Sequence, residues 1–271
     1  MPSKTPSKKH KIYLAALKRD RLIVYLSRIL VLVLFVVLWE LATLTGFLDP
    51  FIFSSPSRIV NTIARLWANG DLFIHIGTTL LETILGFVIG TGLGVFFAIM
   101  LWWFPRAAKV ADPYLVVLNS LPKIALGPVL IVWMGTGMAS IVTIAVLVSV
   151  IVALSSVYNG FEEVDKEKIL LLRSLGASKF QVLTMVILPA SVPTMITALK
   201  LSVAMSWVGV IVGEFLVSRA GLGYLIVYGG QVFQLDIVMA GVVILCVLAG
   251  VMYYGIARLE KHIMAKRNAT N

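Results

Sequence analysis

The sequence predicts an all-α polytopic membrane protein of about six transmembrane helices. Three observations carry that class. Hydrophobic residues make up 59% of the 271 positions and charged residues only 13%, against about 45–50% and about 25% in a soluble domain. Mean hydropathy is +0.98. The apolar residues also fall in runs close to the roughly 20 residues that a ~30 Å hydrocarbon layer requires. These figures exclude an ordinary soluble enzyme. They equally exclude a disordered chain, which shows the opposite bias. A single cysteine, Cys246, gives no intrachain disulfide and no cysteine-based metal cluster. His10, His75 and His262 are too far apart in sequence to suggest a ligand set.

Taken in order, residues 29–47 form a first apolar run, broken only by Glu40. Residues 83–104 form a second, with no charge. Residues 124–161 also lack Asp, Glu, Lys and Arg, but are too long for one span. Gly135-Thr136-Gly137 punctuates them, giving a third helix from near Ala111 and a fourth over 140–158. Pro122, Lys123, Gly127 and Pro128 sit inside the third. Residues 190–215, interrupted by Lys200, are the fifth and 237–257 the sixth.

Net charge is +10, from 23 basic and 13 acidic residues. The basic residues cluster in four places: before the first span, at Arg106 and Lys109, at Lys166, Lys168, Arg173 and Lys179, and in the tail from Arg258. The alternate loops hold only Arg58, Arg65 and Arg219. Positive charge marks cytoplasmic loops, so both termini are placed inside, in a multi-pass protein of the cell membrane. Dispersal over four segments of an integral protein argues against nucleic-acid binding. No cleavable signal peptide is evident. Residues 1–25 read as a basic cytoplasmic segment, 26–265 as the transmembrane domain and 266–271 as a cytoplasmic tail. Residues 12–26 fit both a helix along the inner membrane face and a frayed tail.

No P-loop, H-E-x-x-H or G-x-S-x-G pattern occurs. Gly86, Gly90 and Gly94, four residues apart within an uncharged span, predict close helix packing rather than a phosphate loop. The chain therefore carries no energy-converting site of its own.

The segment 162–193 is the longest polar stretch between spans. Gly176 takes positive φ readily and should separate two short helices. Pro189 suits the first turn of the helix that follows. The result is a cytoplasmic elbow, far longer than the roughly 2–8 residues that merely join two helices.

This loop resembles the EAA loop of ABC importer permeases. Nine residues after Gly176 reach Met185, Val186 takes the isoleucine place, and Leu188-Pro189 complete the pattern. Leu170, Leu171 and Leu172 stand where that loop has E-A-A, with Glu167 one turn earlier. Residues 119–137 and 213–224 resemble segments of the sulfonate, nitrate and taurine branch, and Ser55-Pro56-Ser57 its entry to the second helix. The resemblance spans roughly residues 45 to 265 and implies the type I importer permease fold.

It implies further that two such chains, usually identical, form the pathway for a small solute. Each docks on an ATPase subunit through the elbow, and an extracytoplasmic binding protein delivers the solute. ATP and Mg are bound by the ATPase; this chain would hold no cofactor, metal or catalytic residue. The docking residues are Glu167, Arg173, Ser174, Leu175, Gly176, Ala177, Ser178, Leu188 and Pro189.

Intramembrane charges supply pathway candidates. A third helix starting near Asp112 puts Lys123 about 16 Å deep, as either a solute contact or the partner of a carboxylate. Pro122 and Pro128 kink or break that helix, and broken helices often line pathways. Glu40 is expected to be paired; Glu82 and Glu214, toward span ends, to be interfacial and solvated; Lys200 to snorkel. Trp102, Trp103, Tyr253 and Tyr254 fit an interfacial belt. Lys123 favours an anionic solute and the outer carboxylates oppose one, so the solute stays open. Rival classes are a secondary transporter working alone on an ion gradient and a membrane-embedded enzyme. The first usually shows repeats and midplane carboxylates, the second a polar constellation.

Overall fold

The computed structural model describes residues 8–270, with side chains from 16 to 265. Among the described residues the chain is helical, without strands. It divides into two compact units, Met1–Thr62 and Ile63–Asn271.

The first unit holds α1 (Lys8–Leu44), α2 (Pro50–Phe53) and the opening of α3 (Pro56–Ala68). The basic stretch from Lys8 onward runs into the first span without a break; residues 1–7 lie outside the described residues. Asp49 caps α2 by accepting from the Phe51 N–H at 2.8 Å, with Pro50 at its first turn. Glu40 is paired, but not with a charge. It accepts from the Ser57 N–H at 3.0 Å and the Ser57 hydroxyl at 2.8 Å, at the first turn of α3.

The second unit comprises α4 (Asp71–Trp103), α5 (Pro105–Ser120), a 3₁₀ turn (Lys123–Leu126), α6 (Gly127–Met134), α7 (Met138–Glu162), α8 (Lys166–Ser174) and α9 (Lys179–Val182). A π-helical turn (Leu183–Ile187), α10 (Leu188–Val217), α11 (Leu222–Gln231) and α12 (Leu235–Thr270) follow. Among the described residues five helical stretches can cross a membrane: Ala16–Leu44, Asp71–Trp103, Met138–Glu162, Lys179–Val217 and Leu235–Ala265. The pair Pro105–Ser120 and Lys123–Met134, bent by 87°, makes a sixth.

α7 is the axis of this unit, with α4 and α10 on either side. The glycine ladder of α4 faces a ladder of small residues on α7. A methyl built on Gly86 would stand 2.5 Å from Ala145 Cβ, on Gly90 1.9 Å from Ser149 Oγ, and on Gly94 2.5 Å from Ala153 Cβ. From α10, a methyl built on Gly209 would stand 2.5 Å from Ala145 Cα, and one on Gly213 3.1 Å from Ile141 Cα. Without a hydrophobic drive between helices in lipid, such close backbone approach supplies the dispersion that holds them together. Ser149 donates to the Ala145 carbonyl, and Ser191 of α10 to the Gly160 carbonyl of α7.

The third helix is broken at Pro122, as its prolines predict. Leu121 is extended (ψ 136°), as the residue before a proline must be, and α5 stops there. Pro189 stands in the first turn of α10, as expected, but that helix follows α9 and the π-turn without a gap, so the chain is helical from Lys179 through Val217. The π-turn before it absorbs the missing N–H, with the Leu188 N–H reaching back five residues to the Leu183 carbonyl. Lys200 does not snorkel free; it pairs with Glu260 of α12 at 2.5 Å.

Candidate functional site

The elbow is built by two local signals that meet within four residues. Asp165 caps α8 by accepting from the Glu167 N–H at 2.9 Å. At its other end, the Ala177 N–H bonds the Leu172 carbonyl and the Gly176 N–H the Arg173 carbonyl, both at 3.0 Å. That is the Schellman pattern, and it needs the left-handed backbone that Gly176 adopts at φ +83°. Ser178 then opens α9 with a capping box: the Ser178 N–H donates to Gln181 Oε1 at 2.7 Å, and the Gln181 N–H to Ser178 Oγ at 3.3 Å.

The elbow's inner face is anchored. Ile169, Leu172, Ala177 and Val186 pack on a core of Ala98, Val157, Phe161, Val182, Leu183 and Ile187. Lys179 Nζ donates to the Trp103 carbonyl and lies 5.7 Å and 5.4 Å from the Trp102 and Trp103 ring centres. The outer face is bare. Leu170 and Leu175 are 67% and 77% exposed, and Leu171, Phe180 and Met185 are also exposed. A groove of about 400 Å³ lies between Leu172, Leu175, Gly176, Gln181 and Met185. Glu167 and Arg173 stand on α8, Ser174 at its end, and Leu188 and Pro189 one π-turn beyond α9. The fold thus joins the residues of the segment 165–189 into one rigid, half-covered element.

The pathway candidates are not gathered into one site. Pro122 and Lys123 sit at the 87° break, and Pro128 in the first turn of α6. Lys123 is half-buried, and its Nζ donates to the Asn119 carbonyl at 3.1 Å. It therefore caps the C-terminus of α5, where carbonyls lack helical partners. Among the described residues it pairs with no carboxylate, and no straight helix runs through it to fix a midplane depth. Glu40 serves α3 in the first unit.

Glu82 and Glu214 are not solvated: each is 1% exposed. They are neighbours, α4 against α10, at the end of the bundle remote from the elbow. Glu214 Oε1 accepts from Thr79 Oγ1 at 2.6 Å and Oε2 from the Gly223 N–H at 2.5 Å. Its surroundings leave no room for an open pathway surface at this residue. A methyl on Gly221 would stand 2.4 Å from Glu214 Cδ, and one on Gly223 2.7 Å from its Cβ. Sequence reasoning missed Thr79 and His75, which share this cluster; Gly221-Leu222-Gly223 shortly after a span glutamate was the available signal. A cavity of about 370 Å³ opens beside it, lined by Thr78, Glu82, Thr136, Met138 and Arg219.

A bundle of small-residue helix contacts, a broken helix and a solid helical elbow together define a type I importer permease. Solved structures agree in fold. An inward-facing MetNI methionine ABC transporter matches with a TM-score of 0.58 at 18% identity, covering 71% of this chain and 94% of that one. An amino acid ABC transporter solved with histidines gives 0.59 at 18%, covering 75% and 97%. Residues 90–264 match the family described as binding-protein-dependent transport system inner membrane component, and the chain belongs to that family. Among relatives, a Bacillus subtilis protein assigned to aliphatic sulfonates transport, SsuC, is 29% identical over 86% of this chain and 85% of its own. The taurine transport system permease protein TauC of Escherichia coli is 25% identical over 85% and 86%. The formylaminopyrimidine transport permease protein ThiX of Halalkalibacterium halodurans is 28% identical over 85% and 92%. The chain is thus a non-catalytic membrane subunit of an ABC importer, and membership implies an ATPase partner.

Proposed function

We propose that this permease docks its ATPase through the bare face of the elbow, and that two copies form the pathway for a small sulfonate of the taurine type. The carrying observation is an element rigid on one side and unpartnered on the other. Schellman and capping-box geometry fix its shape, and its apolar inner face packs on α4, α7 and α10. Leu170, Leu171, Leu175, Phe180 and Met185 are left exposed among Lys166, Glu167, Lys168 and Arg173. An apolar patch rimmed by charge marks a protein interface. Its basic rim supports a cytoplasmic position for the elbow and for both chain ends. The ATPase binds ATP and Mg, an extracytoplasmic binding protein presents the solute, and the elbow carries the ATPase's closure into the bundle. The sulfonate class follows the names of two relatives, SsuC and TauC.

The test is co-purification. Leu171→Asp and Leu175→Asp place a charge in the patch without touching the buried side. The variants should insert normally, lose the ATPase and lose ATP-driven uptake of labelled taurine. An ATPase that stays bound at wild-type levels, or ion-gradient uptake by the purified chain alone, overturns the reading.

A further inference from the structure

The first N–H groups of a helix have no partners within it. In α11 they are met by side chains of two other helices. The Gly221 N–H donates to His75 Nδ1 at 3.0 Å, the Leu222 N–H to Thr79 Oγ1 at 2.8 Å, and the Gly223 N–H to Glu214 Oε2 at 2.5 Å. The His75 ring stacks on Tyr224 with centres 5.8 Å apart.

Counting donors places the protons. Thr79 has one O–H; its oxygen accepts from Leu222 and its hydrogen goes to Glu214 Oε1 at 2.6 Å. Glu214 therefore takes two donors, the Thr79 hydroxyl and the Gly223 N–H, which is how a carboxylate, an acceptor only, is satisfied. Its remaining neighbour is the Glu82 carboxyl. Two carboxylates side by side in a buried site do not both ionise, and Glu214 holds the donors, so the hydrogen belongs to Glu82. Glu82 Oε2 is buried without a protein partner, which an ionised group could not tolerate. His75 accepts at Nδ1, so its ring is neutral with the hydrogen on Nε2. Other charged groups near the cluster are Asp71 on α4 and Arg219 at the mouth of the cavity; α7 presents Met138 and Ile141.

The same two helices end at the elbow. α10 is helically continuous with Lys179, about 53 Å of rod from Lys179 to Glu214 at about 1.5 Å per residue. α4 is tied to Lys179 through the Trp103 carbonyl and carries His75 and Thr79 at its other end. We infer that a neutral Glu82 and an anionic Glu214, with Thr79 and His75, form a clamp of positioning residues that makes α11 follow the elbow during transport. This rests on elbow docking as proposed above and adds the far element that the docking moves.

The assembled transporter in lipid vesicles tests it. Glutamine at 82 is neutral, as the protonated acid is, so Glu82→Gln should keep wild-type uptake and ATP hydrolysis. Glutamine at 214 turns an N–H₂ toward one of the converging donors. Glu214→Gln should hydrolyse ATP while uptake falls about tenfold or more, the scale of one buried unmet polar group. Thr79→Val should resemble Glu214→Gln, and Thr79→Ser should restore uptake. The infrared difference between wild type and Glu82→Gln should contain the carbonyl band of a neutral carboxylic acid. Wild-type uptake in Glu214→Gln or Thr79→Val, loss of the ATPase from an inserted Thr79→Val chain, or absence of the acid band overturns the proposal. If Glu214→Gln fails to assemble, the threonine pair and the infrared band decide. The infrared band does not depend on where the ATPase binds, so a failed clamp is distinguishable from a failed docking surface.

Discussion

Gly176 and Lys123 show how much one position decides. An added Cβ at Gly176 would meet nothing within 4 Å, so the glycine is required by its φ of +83° alone. A β-branched residue there suffers left-handed strain of about 1–2 kcal/mol or more. Gly176→Val should insert normally, loosen the elbow and lower ATP-driven uptake. ATPase activity measured beside uptake would separate uncoupling from lost assembly, and unchanged uptake would contradict the requirement. Lys123 holds the last turn of α5 by its bond to the Asn119 carbonyl. Lys123→Met should reduce thermal stability by under ~1 kcal/mol, the usual worth of a cation at a helix C-terminus. The apparent KM for solute should not move. A raised KM would return Lys123 to the pathway.

At the scale of elements, the contact between α4 and α7 depends on which face of a helix carries the small residue. Gly90 and Gly92 lie on one helix, two residues apart. A methyl at Gly90 would collide with Ser149 Oγ at 1.9 Å, whereas at Gly92 it meets nothing within 4 Å. Gly90→Ala should therefore cost about 1–3 kcal/mol of overpacking. Gly92→Ala should be neutral or stabilising by up to about 1 kcal/mol through helix propensity. Thermal unfolding in detergent reads both, and equal effects would refute the packing. The pair Lys200–Glu260 joins α10 to α12 with side chains 21% and 29% exposed. At that exposure Glu260→Gln should cost about 0–1 kcal/mol, a small shift on the same melting curve.

For the whole molecule, the elbow and the α11 clamp lie at opposite ends of two shared helices, so motion at one is available at the other. The distribution of positive charge favours the elbow on the cytoplasmic side. A cysteine at position 171 should be labelled by a membrane-impermeant thiol reagent only from the cytoplasmic side, in a Cys246→Ser background. Labelling from outside would invert the topology and remove the elbow from any ATPase.

Run length, the charge-free glycine ladder and the Gly176 turn were legible in the sequence because each is local: a span needs its count of apolar residues, and a left-handed turn needs a residue without Cβ. The sequence by itself also determined that Pro122 would interrupt its helix, since proline acts on its immediate neighbours. Tertiary structure alone decided what the polar residues inside the spans do. Hydropathy puts Glu82 at the edge of one apolar run and Glu214 within another, but it cannot say which face of a helix each occupies or which helix lies opposite. Only packing brings Thr79, His75 and Glu214 from distant parts of the chain onto the first N–H groups of α11, with Glu82 buried beside Glu214. It converts Glu214 from an expected surface carboxyl into a buried one because the backbone groups it meets have no other partner.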